Sequence, residues 1–314
     1  MLMKGNFRDE LGKAFIAAGE TFSDLVVVTA DVSKSTRSIE FKKRWPERFY
    51  SVGIAEANAV SIAAGISSFE RPVIFTAYGV FATEKPFEQI RNTVCYPNMN
   101  VKIIATHGGI SVGEDGATHQ AIEDIAIMRS LPNMKVLVAA DPGEVKAAVF
   151  EAIKTPGPVY VRLGRSEGGY IHENLEDVNF ELGKAEVLKQ GTDVTLMAVG
   201  IMVEQSLKAA EMLEERGVSA KVMNLRTVKP IDIIAVEASA RETGAIVVSE
   251  DHNCFGGAFG AVAEAVALTY PVPIEQVALE DTFGESGNGK LLMGKYGLTA
   301  EHICEKALDV IKRK

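Results

Sequence analysis

Short apolar runs rich in Val and Ile alternate along the chain with stretches of helical pattern. The runs Leu25 to Thr29, Pro72 to Thr76, Val101 to Ala105, Lys135 to Ala139 and Val159 to Val161 predict strands. They are apolar throughout, as a strand covered on both faces must be. The intervening helices have legible ends. In Asp141-Pro142-Gly143-Glu144 the aspartate can cap, the proline suits the first helical position and the glutamate completes a capping box, so a helix is expected to run to Ile153.

A second set follows Gly191, with strand Asp193 to Val199, helix Val203 to Arg216, strand Ser219 to Leu225, helix Asp232 to Arg241, strand Ala245 to Ser249 and helix Ala258 to Leu268. The polar stretch Ser166 to Asn179 separates the two sets, and a short antiparallel strand is expected around Lys184 to Leu188. Alternating strands and helices predict parallel sheets with right-handed crossovers. The fold class is therefore α/β, with two domains, each a mostly parallel sheet flanked by helices: residues 1–170, a linker and edge strand at 171–190, and residues 191–314.

Composition narrows the picture. A length of 314 residues fits two α/β units, and 47% apolar with 24% charged residues is ordinary for a soluble globular protein. A formal charge of −9 and a pI near 5.3 argue against a nucleic-acid or anionic-membrane surface, while local basic pockets for small phosphates stay open. Cys95, Cys254 and Cys304 are far apart and lack metal spacing, which suits buried thiols in a reducing compartment. The N-terminus becomes charged too early for a secretory signal, and no apolar run approaches the roughly 18 residues of a membrane span, so a cytoplasmic protein is expected.

In open α/β sheets ligands gather outside the C-terminal ends of the strands. Four polar segments fall there: Asp31 to Thr36, Gly53 to Asn58, Tyr78 to Phe87 and His107 to His119. The last holds two histidines, the pair Glu114-Asp115 and glycines at 108, 109, 113 and 116. With no third ligand near His107 and His119, no metal site is expected. Glycine permits unusual backbone angles and close approach, which marks the segment as a binding loop. Glu56 opens the helical stretch AEANAVSIAAGI; its residue type alone leaves open a first-turn glutamate favoured by the helix dipole or a functional acid.

The ordered series Gly53-Ile-Ala-Glu56-Ala-Asn-Ala-Val-Ser-Ile-Ala-Ala-Gly65, Gly113-Glu-Asp-Gly-Ala-Thr-His119-Gln and Met128-Arg-Ser-Leu-Pro-Asn133 resembles the C-terminal half of transketolase over about residues 7–165. The second set of strands and helices is similar to the transketolase C-terminal domain. The resemblance implies a thiamine-diphosphate pyrimidine-domain fold followed by that domain. It also implies transfer of a two-carbon ketol unit between sugar phosphates, as in the pentose phosphate pathway. The family's diphosphate signature, Gly-Asp-Gly followed downstream by Asn, is absent, and only Glu114-Asp115-Gly116 comes near it. A split enzyme is implied, in which a partner chain grips the diphosphate and its Mg2+ or Ca2+, in a two-plus-two heterotetramer. Within the same fold, 1-deoxyxylulose-5-phosphate synthase and the 2-oxo acid dehydrogenase beta subunit are the alternatives, and outside catalysis a regulatory subunit.

Carried over residue by residue, Glu56 matches the catalytic glutamate that bonds the aminopyrimidine, and Tyr78, Phe81 and Phe87 are candidates for the aromatic wall beside it, Phe81 first. The spacing from Phe81 to Phe87 is one residue longer than the family's, and Glu84-Lys85-Pro86 departs from its pattern. His119 matches the position near the reacting carbon, Asp115 a sugar-hydroxyl contact and His107 a phosphate contact. Arg8, Ser35 and Arg165 match further phosphate contacts, with Arg162 competing for the last place. His252 falls in a segment near the family's subunit contact, while His172 and His302 read as surface residues. The run Phe255-Gly-Gly-Ala-Phe-Gly260 lacks the dinucleotide fingerprint and reads as close helix packing.

Overall fold

The computed structural model describes residues 4–165, 167–172 and 178–314. In chain order the strands are β1 (Lys4–Asn6), β2 (Val26–Thr29), β3 (Phe49–Ser51), β4 (Val73–Tyr78), β5 (Val101–Thr106), β6 (Lys135–Val138), β7 (Val159–Arg162), β8 (Glu167–Gly169), β9 (Glu186–Lys189), β10 (Val194–Ala198), β11 (Ala220–Asn224), β12 (Thr227–Lys229), β13 (Ile246–Asn253) and β14 (Ile274–Leu279). Seven form one sheet in the order β12-β6-β7-β5-β4-β2-β3, parallel except where β12 meets β6. Five form a second, β14-β13-β10-β11-β9, parallel except for the edge strand β9. The expected antiparallel edge strand is therefore present.

The period of two in each strand divides the side chains of the first sheet between two cores. Leu25, Val27, Ile74, Ile104, Leu137 and Val161 face the helices Phe7–Thr21 and Val145–Lys154. Val26, Val28, Phe75, Ile103, Val136 and Val138 face the other way, toward the helix Glu56–Ser67. This second core does not stop at the domain edge, for it continues through Met197, Met223, Val248 and Val262 of the second sheet and its helices. The two domains thus share apolar packing. Among the described residues no helix is long and apolar enough to cross a membrane. The three cysteines are free, with Cys95 and Cys304 buried and Cys254 half-buried.

Several local expectations are corrected. Proline at position 142 and Glu144 form a 3-10 turn, and the α-helix begins only at Val145. Asp141 does cap, accepting from Glu144 N at 2.9 Å, but the Glu144 carboxylate accepts from Ala140 N and turns to the second domain. The helix that follows the His107 to His119 loop starts only at Asp124. Strands β1, β3, β8, β12 and β14 had no clear signal, being short or partly polar. Of these, β12 belongs to the second half of the chain yet completes the edge of the first sheet. In the polar stretch 166–179, residues 166 and 173–177 lie outside the described residues.

His172 is not a surface residue. Its side chain is 16% exposed, lies 3.1 Å from Glu186 and faces Asp141 and Glu144. Hydrogen bonds to Asp141 and Glu186 raise its pKa to about 10 against the opposing effect of burial. Arg226 completes this polar node between the domains: its Nε donates to Glu144 at 2.7 Å and its Nη2 pairs with Glu186 at 2.6 Å. His302 is also half-buried, with Nδ1 2.9 Å from the Gly297 carbonyl.

Candidate active site

Because β4, β5 and β7 run parallel, their C-terminal ends share one edge of the sheet, and the candidate residues leave from there. Tyr78 ends β4, the short helix Gly79–Thr83 carries Phe81, His107 follows β5, and Arg165 follows β7. Glu56 is the first residue of the helix after β3.

Glu56 is 6% exposed, an unusual burial for a carboxylate at a helix start. Both of its oxygens stand 3.3 Å from the Lys85 ammonium, which also lies 4.6 Å from the Phe81 ring centre. Tyr78 and Phe81 stack with centroids 5.8 Å apart, the His107 ring lies 3.9 Å from Tyr78, and His119 meets Phe81 edge-on at 5.2 Å. Phe87 does not join this group of rings: its short helix packs on Glu56–Ser67, and its side chain leans on the apolar core.

The loop after β5 carries the polar side of the cleft. His107 has φ of +67°, a left-handed backbone that costs a non-glycine residue of order 1 to 3 kcal/mol and collects at functional sites. Its Nδ1 is 2.7 Å from Thr106 Oγ1 and its Nε2 is 4.0 Å from Asp115. Burial, reinforced by the positive charges of Arg165 and Arg8, lowers its pKa to about 3, so the imidazole is neutral near pH 7. Arg165 donates from Nη1 to Val112 O at 2.7 Å. Its Nε and that of Arg8 are buried without a hydrogen-bond partner. Two buried guanidinium donors lacking acceptors suit an anionic ligand. Ser35 is half-buried in the turn after β2, which the Arg37–Asp9 ion pair ties to the helix bearing Arg8.

The glycines of the loop answer mainly to the second domain. Gly109, Gly113 and Gly116 have positive φ, and side chains there would strike Asp251, the Gly287 to Gly289 backbone and Ser286 respectively. Asp251 accepts from Ile110 N at 2.9 Å and Ser111 N at 3.3 Å, and Gln120 donates to Glu285 O at 2.9 Å. Arg162 is buried and committed: it donates to Asp124 at 2.8 Å, Ala121 O at 3.0 Å and Asp251 O at 2.8 Å. Of the two arginines at the end of β7, Arg165 is the one that keeps a buried nitrogen without a hydrogen-bond partner.

Sequence reasoning missed Asp251, Asp124, Gln120 and Lys85. The polar end of β13 was singled out only for His252, which is fully buried within the chain and accepts from Ala126 N at 3.4 Å. Glu250 accepts from Ala258 N and Phe259 N, filling the N-terminus of the helix Ala258–Leu268 with a carboxylate of its own. Close packing, rather than a phosphate loop, accounts for the glycines there. Among the described residues one group has metal-ligand proximity, Glu144, His172 and Glu186, and the Arg226 guanidinium already pairs with two of its members.

Residues 4–169 match the model of the transketolase pyrimidine binding domain, and residues 183–303 that of the transketolase C-terminal domain. A Methanocaldococcus jannaschii protein whose name assigns it to the C-terminal section of a transketolase is 41% identical over 98% of this chain and 96% of its own length. A 6-deoxy-6-sulfo-D-fructose transketolase subunit of a Clostridium species is 38% identical over 92% of this chain and 89% of its own. A 1-deoxy-D-xylulose-5-phosphate synthase of Dictyoglomus thermophilum is 34% identical over 98% of this chain, which spans 49% of that enzyme. A solved structure described as a split gene transketolase, inactive beta4 tetramer, superposes with a TM-score of 0.90 at 43% identity, covering 98% of this chain and 99% of that one.

Proposed function

This chain belongs to the transketolase family, and we propose that it is the C-terminal subunit of a split transketolase, moving a two-carbon ketol unit between sugar phosphates together with a partner chain. The observation that carries the reading is the buried Glu56 carboxylate beside the stacked Tyr78 and Phe81.

The pyrimidine-binding domain family implies use of thiamine diphosphate. The residues present fit its pyrimidine half, since a sequestered acceptor next to an aromatic face suits a flat heterocycle with polar edges. The family's Gly-Asp-Gly signature with its downstream Asn is missing from the sequence, and in this reading the diphosphate and its Mg2+ or Ca2+ fall to the partner chain. When bound, the cofactor supplies the nucleophilic carbon and the electron sink of the reaction.

In this reading Glu56 holds a proton at the pyrimidine ring nitrogen, and Tyr78 and Phe81 exclude water from that side. His119, edge-on to Phe81, is placed to move a proton at the substrate oxygen. Neutral His107 and Asp115 hydrogen-bond substrate oxygens, and Arg8, Ser35 and Arg165 hold a phosphate, for which the two unpartnered guanidinium nitrogens supply donors. Alone, the chain self-associates and is inactive, by analogy with the tetramer described for the split-gene relative.

A second reading, 1-deoxyxylulose-5-phosphate synthase chemistry, draws support from relatives of that name that this chain half spans. Both are tested by co-purifying the chain from its source cell, identifying any companion, and supplying the pair with thiamine diphosphate, magnesium and either xylulose 5-phosphate or pyruvate. Ketol transfer from the sugar phosphate supports the first reading, turnover of pyruvate the second. Absence of activity with every co-purifying companion would favour a regulatory subunit.

A further inference from the structure

Lys85 occupies a place that the proposed function needs for something else. Its ammonium stands 3.3 Å from each Glu56 oxygen and 4.6 Å from the centre of the Phe81 ring, so the charge fills the gap between carboxylate and aromatic face. A heterocycle stacked on Phe81 would lie about 3.5 to 4 Å above it, and an edge nitrogen bonded to Glu56 would lie about 2.8 to 3 Å from the carboxylate. The ring and the ammonium cannot share that volume.

We propose that Lys85 is a displaceable placeholder for the pyrimidine ring: it pairs with Glu56 while the cleft is empty and swings aside when the cofactor enters. The proposal rests on the reading of Glu56 and Phe81 given above. Two features make the exchange feasible. The Lys85 side chain is 49% exposed and lies in the turn Glu84 to Pro86 between two short helices, so its flexible stem can carry the ammonium to water without disturbing packed structure. Glu56, at 7% side-chain exposure, cannot follow it out, and a buried carboxylate left without a partner is strongly destabilised. The lysine supplies that partner until the ring does. Loading then becomes a swap of one Glu56 partner for another, and a ligand that fills the cleft without offering Glu56 a hydrogen bond is rejected. Lys85 is in this sense a positioning and selectivity residue acting through Glu56.

The test is a calorimetric titration of thiamine diphosphate, with magnesium, into the cofactor-free complex of this chain and its companion chain. Wild type is compared with Lys85→Met, which keeps length and removes charge, and with Lys85→Arg, which keeps the charge. Loss of a competing half-exposed ion pair should make Lys85→Met bind about two- to fivefold more tightly. Lys85→Arg should show no such gain, and in a Glu56→Gln background Lys85→Met should add nothing. An unchanged or weaker affinity for Lys85→Met, alongside a clear effect of Glu56→Gln, overturns the placeholder and leaves the function standing. Cofactor affinity and C2 hydrogen exchange both indifferent to Glu56→Gln overturn the reading of Glu56 and the placeholder with it.

Discussion

Arg165 Nε stands 3.6 Å from Asp115 Oδ2, too far for a hydrogen bond and close enough to hold the carboxylate toward His107. With Nη1 anchored on Val112 O, the guanidinium is fixed while its Nε remains unpartnered. Replacing Arg165 by Ala should remove a charge-assisted contact of about 1.5 to 3 kcal/mol, raising KM for phosphorylated sugars roughly ten- to a hundredfold. Unphosphorylated sugars should be affected far less. Steady-state kinetics with matched pairs of acceptors check this, and equal losses on both would contradict the placement of the phosphate.

Glu56→Gln keeps the shape of the side chain and removes its ability to take up a proton. The complex should assemble normally, while C2 hydrogen–deuterium exchange of bound thiamine diphosphate, followed by NMR, should slow by about 10² to 10⁴. Unchanged exchange in an assembled variant would end the proposed role.

The burial of His107 makes a prediction about acid stability. Its folded pKa of about 3 lies below the ordinary value of 6.5, because burial and the neighbouring cations oppose protonation. The unfolded chain therefore binds the proton first as pH falls. The contribution is fully present above pH 6.5 and is lost progressively toward pH 3, with a slope of up to about 1.4 kcal/mol per pH unit. His107→Gln should flatten this part of the acid limb in denaturant melts at stepped pH. A limb as steep as that of the parent would show that other groups govern it.

At the node between the domains, Glu144 is fully buried, its pKa raised by burial and drawn back by Arg226. Arg226→Met should destabilise the chain by about 3 kcal/mol, the low end for a broken buried pair, since the buried carboxylate loses its nearest counter-charge while protonated His172 still faces it. Adding Glu144→Gln should recover part of the loss. Denaturant unfolding of the two single variants and the double measures the coupling, and additive effects would mean that the pair is not the source of the cost.

Much of the fold was legible because it depends on local periodicity. Strands such as β2, with four consecutive buried residues, announce themselves wherever a sheet is covered on both sides. The cleft residues were legible for a different reason: Glu56, His107, Asp115 and His119 lie in loops and helix starts at strand ends, and their spacing along the chain resembles that of a family. Lys85 was flagged only as a departure from that pattern. Its neighbour Phe87 illustrates the limit of spacing, for an aromatic side chain in such a segment serves a core equally well, and here it packs on helix Glu56–Ser67.

The amino-acid sequence by itself determined the α/β class, most of the strands and the set of polar side chains around one sheet edge, because each of these follows from residue type and short-range spacing. Tertiary structure alone decided that Thr227–Lys229 crosses to the first sheet, that Asp251 braces the loop at Ile110 and Ser111, that Arg162 is held by Asp124 while Arg165 keeps its Nε unpartnered, and that Lys85 sits on Glu56. These relationships join residues separated by tens to more than a hundred positions. No pattern along the chain encodes which distant partner a buried charge will find; that is settled only when packing removes water and leaves each charge with the neighbours it has.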